Sequence, residues 1–309
     1  MEAVKAFTGG QVMSEVEQSI LHNREKHIRS TDNCVRAIEQ ADGLYTASAV
    51  SPFTRRLTWQ YSLQHKMDQT YKSLADCLLC KWEEKKATAP TNSNGTRRLR
   101  PPPRLLVAIA GPPGSGKTTI ANKVADIINS LPPKINNPKA IVISADGFHL
   151  PLATLRKLPN ASEALARRGA PWTFDGHAAV SLVRKLKSNA HRHSVFAPTF
   201  DHAIKDPVAD GLLIAADTDI CILEGNYLLC DEPPWDEIAT LVDEKWFVHV
   251  EPDLACKRVA FRHLAAGIET TMEEAVHRAS SNDLVNGEFV VSKSRGRYNV
   301  MIESIESRS

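Results

Sequence analysis

The chain has 309 residues, 42% of them hydrophobic and 24% charged, with a formal net charge of +2. No apolar run reaches the roughly 18 residues of a membrane helix, and Lys and Arg are spread along the chain rather than gathered into a nucleic-acid-binding block. Neither a membrane nor a nucleic acid is therefore an expected partner. The start, MEAVKAFTGGQVMSEVEQ, lacks the apolar core of a secretory signal, so a cytoplasmic location is the expectation.

In chain order, residues 1–66 show no sustained hydrophobic period and are expected to be a poorly ordered extension. From Met67 a helical pattern begins, with Tyr71, Leu74, Leu78 and Trp82 spaced to share one apolar face. This predicts a helix over 67–85 that packs on the main domain, and Met67 as a functional start. Cys77 and Cys80 form a lone C-x-x-C in that apolar run and read as packing residues. The stretch 86–103 is rich in Pro, Asn, Gly and Ser and reads as linker.

From Arg104 short apolar runs alternate with helical patterns: LLVAIAG, a helix to about Leu131, AIVISAD, helices through Lys187, SVFAP, DICILEG and KWFVHVE. That alternation predicts an α/β fold, a doubly wound and mostly parallel sheet with helices on both faces, over 104–309.

The segment Gly111-Pro112-Pro113-Gly114-Ser115-Gly116-Lys117-Thr118, followed by Thr119, fits G-x-x-x-x-G-K-[ST] in full and lies between a predicted strand and a predicted helix. Its glycines let backbone N–H groups wrap phosphates at a helix N-terminus. Lys117 is expected on the β- and γ-phosphates of ATP, and the Thr118 hydroxyl on Mg²⁺.

Ligands of such sheets sit beyond the carboxyl ends of the strands. Asp146 ends AIVISAD and Glu224 ends DICILEG. Phosphoryl transfer needs one carboxylate near the metal and another to take the proton of the attacking hydroxyl. Each residue alone also fits a turn or a helix cap.

GPPGSGKTT, S-x-D-G-F-H (Ser144 to His149) and ILEGNYLL resemble the phosphoribulokinase, uridine kinase and pantothenate kinase family of P-loop kinases over about residues 104–309. RRGAPWTFD, PTFDHAIKDP and RHLAAGI are most similar to a poorly characterised fungal and bacterial branch. The resemblance implies that Asp146 is the catalytic base and that Glu224 lies near Mg²⁺. It implies a lid over about 253–270, where Arg258 and Arg262 stand one helical turn apart to clamp the phosphates. His263 occupies the aspartate position of the R-x-x-R-D pattern. The resemblance places Arg168, Asp175, Asp201 and His202 in the acceptor-binding region; His149 and His202 each fit a hydrogen bond to an acceptor hydroxyl, and each also fits a surface or satisfied polar histidine. Asp175 fits an N-cap as well as it fits a substrate contact, and Tyr227 fits a core aromatic as well as a crevice wall. Asn282 and Asp283 fall where the family covers the adenine.

The function expected is an ATP-dependent small-molecule kinase acting on a small hydroxylated metabolite, with ATP and Mg²⁺ as cofactors. A homodimer is left open. The alternative is a regulatory or assembly ATPase without an acceptor. A GTP switch is disfavoured, because Asn122-Lys123-Val124-Ala125-Asp126 has one residue too many for N-K-x-D and lies on the P-loop helix.

Overall fold

The computed structural model describes residues 52–88, 103–132, 137–188 and 193–305, with side chains from residue 66 onward. The chain divides into two units, Met1–Arg56 and Leu57–Ser309, and the sheet, its cores and the site all belong to the second. Most of the expected extension and most of the expected linker lie outside the described residues.

Helix α1 spans Pro52–Ala87 and so begins well before Met67. A helix is costly to nucleate and cheap to extend, so turns without a sustained apolar period can continue a helix whose packing is set elsewhere. Its apolar face, Met67, Tyr71, Leu74, Ala75, Leu78 and Trp82, is buried, and Lys81 binds Glu244 at 2.8 Å.

The core elements then run β1 (Leu105–Ala110), α2 (Lys117–Asn129), β2 (Ala140–Ser144), α3 (Leu152–Leu155), α4 (Ala161–Ala166), α5 (Gly176–Ser188), β3 (Val195–Asp201), β4 (Asp206–Ile214) and β5 (Ile220–Glu224). After these come α6 (Ile238–Leu241), β6 (Glu244–His249), α7 (Pro252–Ala265), α8 (Met272–Arg278), a π-helical turn (Ala279–Leu284), α9 (Val285–Lys293) and β7 (Val300–Glu303). Five strands form one sheet in the order β2-β5-β1-β6-β7, with every pairing parallel.

Successive side chains of a strand point to opposite faces, and β1 shows it directly. Leu105, Val107 and Ile109 join a core with α1, α2 and Trp246. Leu106, Ala108 and Ala110 join a second core with α5, Tyr227 and Trp235. Burial on both faces explains why β1 and β5 read as unbroken apolar runs. The chain passes from β1 to β2 and back to β5 on one side, then to β6 on the other. The resulting switch point beside β1 is where α/β sheets bind ligands.

SVFAP departs from the expectation of a sheet strand. It belongs to β3, which pairs antiparallel with β4 in a separate two-stranded ribbon. That ribbon meets the end of β2 closely: a Cβ on Gly147 would lie 2.3 Å from the Pro198 carbonyl oxygen, so only glycine fits there.

Candidate active site

The P-loop joins β1 to α2. Gly114 takes φ +79°, and a Cβ there would come within 2.7 Å of the Ala255 carbonyl oxygen on α7, so this turn needs glycine twice over. Lys117 is buried and its Nζ donates to the Pro112 carbonyl at 3.0 Å. Burial pushes the ammonium down to about 8, against the opposing pull of the Glu224 and Asp146 carboxylates.

Parallel register sets the carboxylates. Glu224 at the end of β5 pairs with Ser144 of β2 on one side and Ile109 of β1 on the other. Its side chain is only 4% exposed and accepts hydrogen bonds from the Ser144 and Thr118 hydroxyls. Burial, reinforced by the charge of Asp146, raises its carboxyl above the ordinary range, while Lys117 and the two hydroxyls pull it back. Asp146 follows β2 in a 3₁₀ turn that starts where Ser144 Oγ accepts the Asp146 N–H at 3.3 Å. Ser144 thus touches both acids, a role that the S-x-D spacing carries and that the sequence reading missed.

The Asp146 carbonyl oxygen lies 2.8 Å from His149 Nδ1, and the His149 ring rests 4.0 Å from Phe174 and 5.0 Å from Phe200. Burial among these rings lowers its affinity for a proton. Arg168 pairs with Asp206 at 2.9 Å and stands over Phe200. Asp206 also accepts the Leu152 N–H at 2.9 Å. It therefore ties the ribbon to the segment after His149, another contact that the sequence reading missed.

Other residues placed at the acceptor hold backbone. Asp175 caps α5 through the Ala178 N–H at 2.8 Å. Asp201 accepts the Ala203 N–H at 2.7 Å and closes the turn between β3 and β4. His202 is exposed, with its ring 5.2 Å from Phe200. Tyr227 donates to the Gly169 carbonyl at 2.6 Å and packs among Phe174, Trp235 and Phe289.

The two arginines of α7 differ. Arg258 bonds to the Gly114 carbonyl at 3.1 Å, Ser304 Oγ at 2.8 Å and the Ile305 carbonyl at 2.7 Å, fastening the P-loop to the segment after β7. Arg262 is exposed and its charge acts on Lys117. Asn282 is buried, and its Nδ2 donates to the Arg168 carbonyl at 3.2 Å. That bond faces the loop carrying Arg168 and not the P-loop.

The oxygen donors brought together by Thr118, Glu224 and Ser144 are hard, and suit a magnesium ion shared with phosphate oxygens. A buried lysine, a phosphate-wrapping loop and a half-exposed carboxylate next to the metal-type cluster make a phosphoryl-transfer centre chemically coherent.

Known proteins agree. The model of the phosphoribulokinase / uridine kinase family matches residues 106–271. A Schizosaccharomyces pombe protein provisionally named a uridine kinase is 43% identical over 187 residues, covering 60% of this chain and 78% of that protein. The crystal structure of a Silicibacter sp. TM1040 kinase, provisionally assigned to fructose transport, superposes with TM-score 0.58 at 30% identity, covering 72% of this chain and 97% of its own. YFH7 of Saccharomyces cerevisiae, described as a P-loop-containing kinase with a circular permutation, superposes with TM-score 0.58 at 25% identity over 66% of this chain and 93% of its own. With its P-loop, its two strand-end acids and more than half its length matched, the chain belongs to the phosphoribulokinase / uridine kinase family.

Proposed function

We propose that this protein transfers the γ-phosphate of Mg·ATP to a hydroxyl of a small metabolite. The observation that carries the reading is the pair of strand-end carboxylates beside Lys117, one bound to the Thr118 hydroxyl and the other more open to solvent.

In this reading Mg·ATP supplies the phosphoryl group, with the ion held by Thr118 and Glu224. The P-loop amides and Lys117 bind the β- and γ-phosphates. Asp146 accepts the proton of the acceptor hydroxyl as that oxygen attacks. Arg262 neutralises charge on the transferring phosphoryl group, whereas Arg258, already bound at three places, holds the P-loop in shape. His149 and the ribbon around Phe200 form one wall of the acceptor site, and the loop braced by Arg168 forms another.

The test is ADP release from Mg·ATP across a panel of hydroxylated metabolites, comparing the wild type with Asp146→Asn. One acceptor should stimulate turnover, and the variant should lose about 10²–10⁴-fold of that rate while its ATP affinity stays within about threefold. Acceptor-independent turnover that survives the substitution would instead favour an ATPase acting on a partner.

A further inference from the structure

Arg262 and His263 are neighbours on α7, roughly 100° apart around the helix, and they meet different surroundings. Arg262 is exposed, and among the described residues no hydrogen bond or ion pair holds its guanidinium. His263 is buried, with Nε2 3.5 Å from the Asp283 carboxylate.

Asp283 lies in the π-helical turn Ala279–Leu284. Such turns are rare and recur at functional sites. Here the turn sends two successive polar side chains, Asn282 and Asp283, inward. It is braced from the other side: Asn282 holds the Arg168 carbonyl, while Arg167 donates to the Ser281 carbonyl at 3.2 Å and to Asn286 Oδ1 at 3.0 Å. Asn282 Oδ1, His263 Nδ1 and Asp283 Oδ2 are buried without a hydrogen-bond partner among the described residues, an arrangement that folding alone does not favour. Burial raises the Asp283 carboxyl, while the charges of His263, Arg262, Arg278 and Arg167 pull it back towards its ionised form, and Glu269 partly offsets Arg278 at 3.3 Å.

We propose that Asp283 is the positioning residue of Arg262: presented by the π turn and held against His263, its negative charge fixes the end of α7 so that Arg262 is directed at the phosphates bound by Lys117. Directly after Arg262 the helix carries His263 rather than an acid, and the π turn supplies a carboxylate from the opposite side. The inference rests on the phosphoryl-transfer reading only in giving Arg262 a phosphate to meet.

The experiment is a double-mutant cycle on the full chain, using wild type, Arg262→Ala, Asp283→Asn and the double variant. Calorimetry measures Mg·ADP alone and Mg·ADP with aluminium fluoride, a probe that imitates the phosphoryl group in flight. Mg·ADP affinity should stay within about threefold in all four proteins. Asp283→Asn should weaken the fluoride complex about tenfold when Arg262 is present and not at all when it is absent, because the charge acts through the arginine. Asp283→Glu, which keeps the charge, should stay within about threefold of wild type. If Asp283→Asn does not fold, His263→Gln takes its place in the cycle, with a loss that again depends on Arg262. A loss that is the same in both backgrounds, or no loss beside a tight wild-type fluoride complex, overturns the inference and leaves the kinase reading standing. A wild type that binds ADP but forms no fluoride complex overturns both.

Discussion

The Thr118 hydroxyl donates a hydrogen bond to the Glu224 carboxylate, joining the first turn of the P-loop helix to the last residue of β5. The bond keeps a buried acid beside the loop without a direct ion pair, and its oxygen atoms are those a magnesium ion would take.

Glu224→Gln and Thr118→Val should each raise the magnesium concentration needed for half-maximal ADP release by about 10–100-fold. Because burial raises the Glu224 carboxyl, its metal-binding form is lost as pH falls through that raised value. The wild-type magnesium requirement should therefore climb on acidification, and the Gln variant should show a flat dependence. An equally steep pH dependence in the variant would remove Glu224 from the metal site.

Lys117 gives a prediction at the alkaline end. With the ammonium at about 8 in the free site and phosphates raising it on binding, ATP affinity should decline as pH rises through about 8. Binding at pH 8.5 should take up a proton, which calorimetry in buffers of different ionisation heat detects. An affinity flat from pH 7 to 9.5 would argue against this coupling.

Arg258 and Arg262 should separate stability from catalysis. Arg258→Ala removes one bond from α7 to the P-loop and two to the C-terminal segment, for a loss of about 1–3 kcal/mol in the folding equilibrium by urea titration. Arg262→Ala should leave the unfolding midpoint unchanged and lower kcat by about 10³-fold. The reverse pattern would exchange their roles.

The helix before the P-loop is the fourth case. A chain of residues 67–309 keeps every buried side chain described on α1 and should fold and bind ATP. A chain of residues 104–309 loses Met67, Tyr71, Leu74, Leu78 and Trp82 from the core, at about 2 kcal/mol each. That loss rivals the typical margin of about 5–15 kcal/mol, so this shorter chain should expose apolar surface to a dye or aggregate. Equal melting temperatures for the two chains would show that α1 only decorates the domain.

The sequence told most where structure is local. The P-loop, Asp146 and Glu224 stand at strand ends whose apolar runs are continuous, and their short spacings carry the chemistry directly. The ribbon was less legible because β4 is largely exposed along its length, so burial imposed no alternation on DPVADGLLI. Asp283 was hardest to read: its partner His263 is twenty positions away, and a π turn shifts the periodicity by which a helical face is recognised. The resemblance places Asp201 and Asp175 in the acceptor-binding region, with an N-cap equally open for Asp175, and in the structure both accept hydrogen bonds from nearby backbone.

Resemblance to the family runs over residues 106–271, yet Met67, Trp82 and Ile302 share one core with Trp246. The heritable motif is thus shorter than the object that folds. A graft that moved only the matched segment into a relative would transplant the chemistry without its roof, and the face of the sheet carrying Val107, Ile109 and Trp246 would turn adhesive. Substitutions on α1 and on that face therefore answer to each other.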